Sequence, residues 1–92
     1  MVLNGRTTVS IAGQPVALAS DRLLASELWI EAPEGNVGVV CVGGRNVVAH
    51  EDAHNSLELH PGDRAPVLRH VMPADVFVDA RNDGDAVVWM GF

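Results

Sequence analysis

The sequence predicts an all-β domain, a small β-sandwich or jelly-roll of about eight short antiparallel strands. Three observations lead there. Fifteen valines are spread through short apolar segments, and β-branched side chains suit the pleated, half-buried surface of a sheet. Gly, Pro, Asn and Asp interrupt those segments at regular spacing, which is the chemistry of tight turns. No stretch keeps a helical period for the roughly ten residues a packed helix needs, and no internal repeat is present.

Taken in order, residues 7–12 alternate and make a first strand, Gly13 to Pro15 turn the chain, and residues 16–19 return it. Residues 1–20 are therefore expected as an N-terminal strand or arm, and residues 21–92 as the sandwich domain. The arm would reach a neighbouring molecule; the alternative is that it completes the sandwich of its own chain. Residues 21–26 form at most a helical turn capped by Ser20 or Asp21. Over residues 27–32 the alternation sets Leu28, Ile30 and Ala32 on one face and Glu27, Trp29 and Glu31 on the other. Pro33 to Asn36 supply a turn, and the unbroken apolar run 37–42 predicts a strand covered on both faces. Gly43-Gly44 ends it, residues 46–49 add a short strand, and residues 50–56 are polar enough for an exposed loop. Leu57 and Leu59 then point opposite to Glu58 and His60, ahead of the turn Pro61-Gly62-Asp63. A strand over 67–71 stops before Pro73. Last, Val76 and Val78 face inward against Asp75, Asp79 and Arg81, and Asn82-Asp83-Gly84 is expected to turn a hairpin into residues 86–90.

A chain of 92 residues has room for one hydrophobic core. Its apolar runs are all shorter than the ~18 residues a membrane span requires, so no membrane partner is expected. Residues 1–6 lack a basic stretch followed by an apolar one, and no secretion signal is expected. Six arginines, no lysine and twelve acids give a net charge of -6. Such a surface repels phosphate backbones, which argues against nucleic acid as a partner. Cys41 is the single cysteine and sits in an apolar run, where a reduced, buried thiol is expected.

His50-Glu51-Asp52-Ala53-His54 matches the H-E-x-x-H pattern of zinc peptidases, with His60 standing where a third histidine would complete the longer form. That chemistry needs a helix, so that two histidines at i and i+4 ligate zinc beside a glutamate that activates water. Here Val47 and Val48 precede the motif, strand-like residues resume at Leu57, and Leu57 occupies the place of the glycine the longer pattern requires. Residues 50–54 are expected as a loop or one helical turn, with His50, His54 and His60 not converging on a metal. A cupin-type site is absent as well, because no His-x-His occurs and His70 stands alone. Ser10, Ser20, Ser26 and Ser56 lie in no Gly-x-Ser-x-Gly elbow, and Gly43-Gly44 lacks the residues of a phosphate loop. No catalytic residue, metal ligand or cofactor is therefore assigned.

The segments from Trp29 to Gly44, then Leu57-Glu58-Leu59-His60-Pro61-Gly62-Asp63, then Val76-Phe77-Val78-Asp79-Ala80 with Gly84-Asp85-Ala86-Val87, come in a recognisable order. That order resembles small β-sandwich virion proteins of tailed bacteriophages, over roughly residues 27–90. In that family a strand ending in Ala leads to a turn with Asn, a Val-x-Val-Gly strand, a variable loop, a Leu-x-Pro-Gly turn and a last hairpin around Gly-Asp. His60 between Leu59 and Pro61 is a split the family tolerates, whereas residues 50–55 depart from it in being unusually rich in histidine and acid. The resemblance implies a non-enzymatic structural protein of the virion, decorating or cementing the capsid after assembly in the bacterial cytoplasm. Its implied partners are the major capsid protein and further copies of itself, with a trimer the expected symmetry. A tail-tip or fibre module binding a host-surface ligand is the alternative, ahead of a cupin-like or zincin-like metalloenzyme. Expected interface residues are Thr7, Val9 and Ile11 of the first strand, together with Trp29 on the otherwise charged face of its strand and Trp89 opposite Val88 and Met90.

Overall fold

The computed structural model describes residues 2–49 and 56–92. Within them, two four-stranded antiparallel sheets form the predicted sandwich. One sheet consists of β1 (Leu3–Thr8), β3 (Ala25–Glu31), β6 (Leu68–Val71) and β8 (Ala86–Gly91), in the order β1-β8-β3-β6. The other holds β2 (Val16–Ala17), β4 (Val40–Gly43), β5 (Leu57–Leu59) and β7 (Phe77–Ala80), in the order β2-β7-β4-β5. Among the described residues the one helical piece is a single 3-10 turn, Pro73–Asp75.

The inner faces meet in one core, to which β3 gives Leu28 and Ile30, β4 gives Val40 and Val42, and β7 gives Val78 and Ala80. Period-two alternation forces this division, because neighbouring side chains on a strand leave on opposite faces. Glu27, Trp29 and Glu31 are accordingly turned outward, as expected. The turn after β5 also follows its sequence: the Asp63 N–H donates to the His60 carbonyl at 2.9 Å. Pro61 takes the first central place and Gly62, at φ 89°, the second. A β-turn that needs positive φ there is natural for glycine and strained for other residues.

Several expectations are corrected. Residues 3–8 are not free to act as an arm in this molecule, since they pair with β8 from Leu3↔Gly91 to Thr8↔Ala86. Val9, at the end of that strand, is 0% exposed and belongs to the core. The final hairpin is absent although both of its strands are present: β7 pairs with β2 and β4, and β8 with β1 and β3. Residues 82–85 instead carry the chain from one sheet to the other. The Gly84 N–H donates to the Val9 carbonyl at 2.8 Å, and the Val9 N–H to the Asp85 carbonyl at 2.9 Å, so the corner is fixed to the first strand.

The strand expected over 37–42 begins only at Val40. Its first two N–H groups are used elsewhere: those of Val37 and Gly38 donate to the two oxygens of the buried Asp85 carboxylate at 2.8 and 2.9 Å. Asn36 joins the same corner, donating to the Ala86 carbonyl at 2.7 Å and accepting the Ala86 N–H at 3.0 Å. A side-chain amide thus stands in for a neighbouring strand. The Asn82 side-chain amide lies against Gly38, where an added Cβ would force it to move. Residues 21–24 form no helix, and residues 46–49 form no strand.

Candidate functional site

The two sheets treat their outer faces differently. On the β2-β7-β4-β5 side, residues 44–49 run across the strands, and Val47 and Ala49 pack with Val39, Cys41 and Phe77 in a second apolar cluster. Two side chains hold this cover down. Asp79, 1% exposed, accepts the Ala49 N–H on one carboxylate oxygen and the Gly13 N–H on the other, each at 2.9 Å. Arg81 donates from Nε to the Ala49 carbonyl at 2.7 Å and pairs with Glu58 at 3.2 Å. Alternation had placed Asp79 opposite Val78, which is right, but that face is roofed and the acid is buried. Cys41 lies beneath the same roof as a free thiol. Burial pushes its pKa up, and Glu58 and Asp79 add to the rise, against a hydrogen bond with Ser56 and the charge of Arg81.

The β1-β8-β3-β6 sheet has no such cover among the described residues. The register of its central strands sets out the face row by row. Val88 is paired with Arg6 on one side and Glu31 on the other, and Met90 with Asn4 on one side and Trp29 on the other. All six side chains point away from the core. Trp29, Met90 and Phe92 are 42%, 43% and 47% exposed, and together they form an apolar stripe. Trp29 meets Phe92 edge to face, with centroids 6.5 Å apart at 76°, the arrangement that the ring quadrupoles favour. A shallow groove of about 420 Å³ opens along the stripe and is lined also by Glu31, Arg64 and Val88.

Charges border the stripe. Arg69 pairs with Glu27 at 2.7 Å and Arg64 with Glu31 at 3.9 Å, all four side chains being well exposed. Pairs so open to water contribute at most about 1 kcal/mol each, which leaves them free to exchange partners. On the opposite border Arg6 is exposed and has no ion pair among the described residues. An aromatic and sulfur-containing centre with a charged rim is the composition of a protein-binding surface.

The five residues expected at an interface do not converge on this face. Trp29 stands at its centre. Thr7 is buried, its hydroxyl donating to the Leu18 carbonyl at 2.9 Å and accepting the Trp89 indole N–H at 3.2 Å. Trp89 itself turns inward, packing on the core with its ring laid over Gly5, where an added Cβ would approach it to 3.0 Å. Ile11 is exposed, but at the separate turn closed by the Gln14 N–H and the Ile11 carbonyl. Sequence reasoning missed Arg6, Met90 and Phe92. The signal for Met90 was its alternation with the inward Trp89, and for Arg6 its alternation with Thr7; neither was followed across strands.

The His50 to His54 motif lies outside the described residues. His60 is exposed beside Asp63, 3.5 Å from its carboxylate. His70 is exposed on β6 with φ 53°. Among the described residues no three metal-ligating side chains stand together. Compared with known protein families, curated proteins and solved structures, the chain finds no match.

Proposed function

We propose that this chain is a structural protein of a tailed-phage virion that decorates or stabilises the capsid, and that the outer face of the β1-β8-β3-β6 sheet is the surface through which it assembles. One observation carries the docking part of this reading: the Trp29, Met90 and Phe92 stripe stays open while the chain covers the corresponding face of its other sheet. Large apolar side chains grouped on a surface mark a place where another molecule sits. The order of turns and strands quoted above supports the virion assignment, and two of its segments, Asn36 to Gly38 and Gly84 to Ala86, bind each other through Asn36 and Asp85. The proposed partners are the major capsid protein and other copies of this chain. No reaction, cofactor or metal is part of the proposal.

The test is cosedimentation with assembled tailed-phage capsids. Saturable binding is expected, weakened at least about tenfold by Trp29→Ala, in the range seen when an aromatic anchor is truncated. Absence of binding to capsids, with binding to tail components or host-surface glycans instead, would replace capsid decoration with the fibre role.

A further inference from the structure

We infer that the occupant of the open face is a second copy of this chain, held in one orientation: sheet against sheet, about a two-fold axis that lies between them and runs along β8. This rests on reading the face as a docking surface, and it names what docks there.

The charge rows select the axis. β8 lies between β1 and β3, so rotation about it exchanges left and right while keeping the level along the strands. Arg6, Val88 and Glu31 share one level. Arg6 of the second copy therefore arrives over Glu31 of the first, and Glu31 of the second over Arg6 of the first. Asn4 comes over Trp29, and Val88 and Met90 meet their own counterparts at the axis. Arg6, without an ion pair among the described residues, gains one, and the weakly held Glu31 gains a second cation.

Two other face-to-face arrangements fail on the same rows. A two-fold axis running across the strands keeps left and right but reverses the level, and sets Glu27 and Glu31 against the Glu31 and Glu27 of the other copy. An axis moved between β8 and β3 brings Arg6 over the border that carries Arg64 and Arg69. Like charges opposed in this way cost affinity. Sheet twist does not spoil the favoured match. Face-to-face sheets cross at about 30°, which displaces a strand about 4.8 Å from the axis by roughly 2–3 Å along its length. An arginine side chain spans that offset.

The overlap is three strands wide, about 14 Å by about 20 Å from strand spacing and rise. That is small for a specific interface, and the expected dimer is a weak one with Kd on the order of tens of micromolar. A two-fold contact also closes on itself, because each copy uses the same patch.

Sedimentation velocity of the full chain, from about 1 to 500 μM at low salt, tests the inference. A reversible monomer-dimer equilibrium is expected. Arg6→Glu and Glu31→Arg should each weaken it about tenfold or more, while the double variant Arg6→Glu/Glu31→Arg returns to within about threefold of the parent, the signature of a direct charge pair. Unchanged thermal melts show that the variants fold. A double variant as weak as either single variant overturns the orientation, and so does a trimer. A chain monomeric throughout overturns self-pairing. If Trp29→Ala still abolishes capsid binding in that case, the face remains a docking surface for another protein; if it does not, both readings fall.

Discussion

Residues 44–49 lie over the outer side of the β2-β7-β4-β5 sheet and shut Val39 and Cys41 away from water, whereas the outer side of the β1-β8-β3-β6 sheet leaves Trp29, Met90 and Phe92 in contact with it. The covered side is fastened by hydrogen bonds to the buried Asp79 and by Arg81. The open side has only water-screened ion pairs at its rim. The difference teaches where this domain keeps its stability and where it keeps its capacity for contact. Truncations on the first side should unfold it, and truncations on the second should leave it folded and solitary.

The strongest way to break this contrast is Asp79→Ala. The Ala49 N–H would lose its acceptor inside the protein, at a cost of about 1–3 kcal/mol for an orphaned buried donor, while the exposed Gly13 N–H can turn to water. A depressed thermal midpoint is expected, together with rapid labelling of Cys41 by a thiol reagent that leaves the parent protein untouched. Retained stability with an inert Cys41 would show that the cover is held by apolar packing alone.

A smaller effect, of opposite sign, concerns the edge of the open sheet. His70 on β6 adopts φ 53°, a left-handed conformation that disfavours residues with a Cβ. His70→Gly is expected to stabilise the domain by about 0.5–1 kcal/mol, read from denaturant midpoints at unchanged slope. A modest loss belongs to Trp29→Ala, about 0.5–1.5 kcal/mol for the edge-to-face contact with Phe92 on a half-exposed face. A loss of several kcal/mol would mean that the indole supports the sheet and that the stripe is structural.

Much of the fold was legible because its signals are local. Alternation fixed the inward set of β3, and Pro61-Gly62 announced its own turn. The final hairpin was misread because Asn82-Asp83-Gly84 has turn chemistry that serves equally well at a corner between sheets. What decides between them is pairing with Val9, more than seventy residues away in the chain. Asp79 failed for a related reason: its face was correctly assigned, but whether that face meets water depends on residues 44–49. The candidate site was half legible. Trp29 stood out on a charged strand, yet the residues that complete the face come from β1 and β8, whose adjacency no local pattern declares.

That adjacency also sets the order in which the domain can be built. β8 follows every other described strand along the chain, yet it lies between β1 and β3 and supplies the hydrogen-bonding partner of both. While the ribosome is still extending the chain, β1 has no strand to join and β3 has only β6. The β3-β6 pair can form early, but β1 joins the sheet only after residues 86–91 emerge. Joining strands so distant in sequence is slow, on a scale of milliseconds to seconds for β-sandwiches, and until then the nascent chain presents two unsatisfied strand edges to its neighbours.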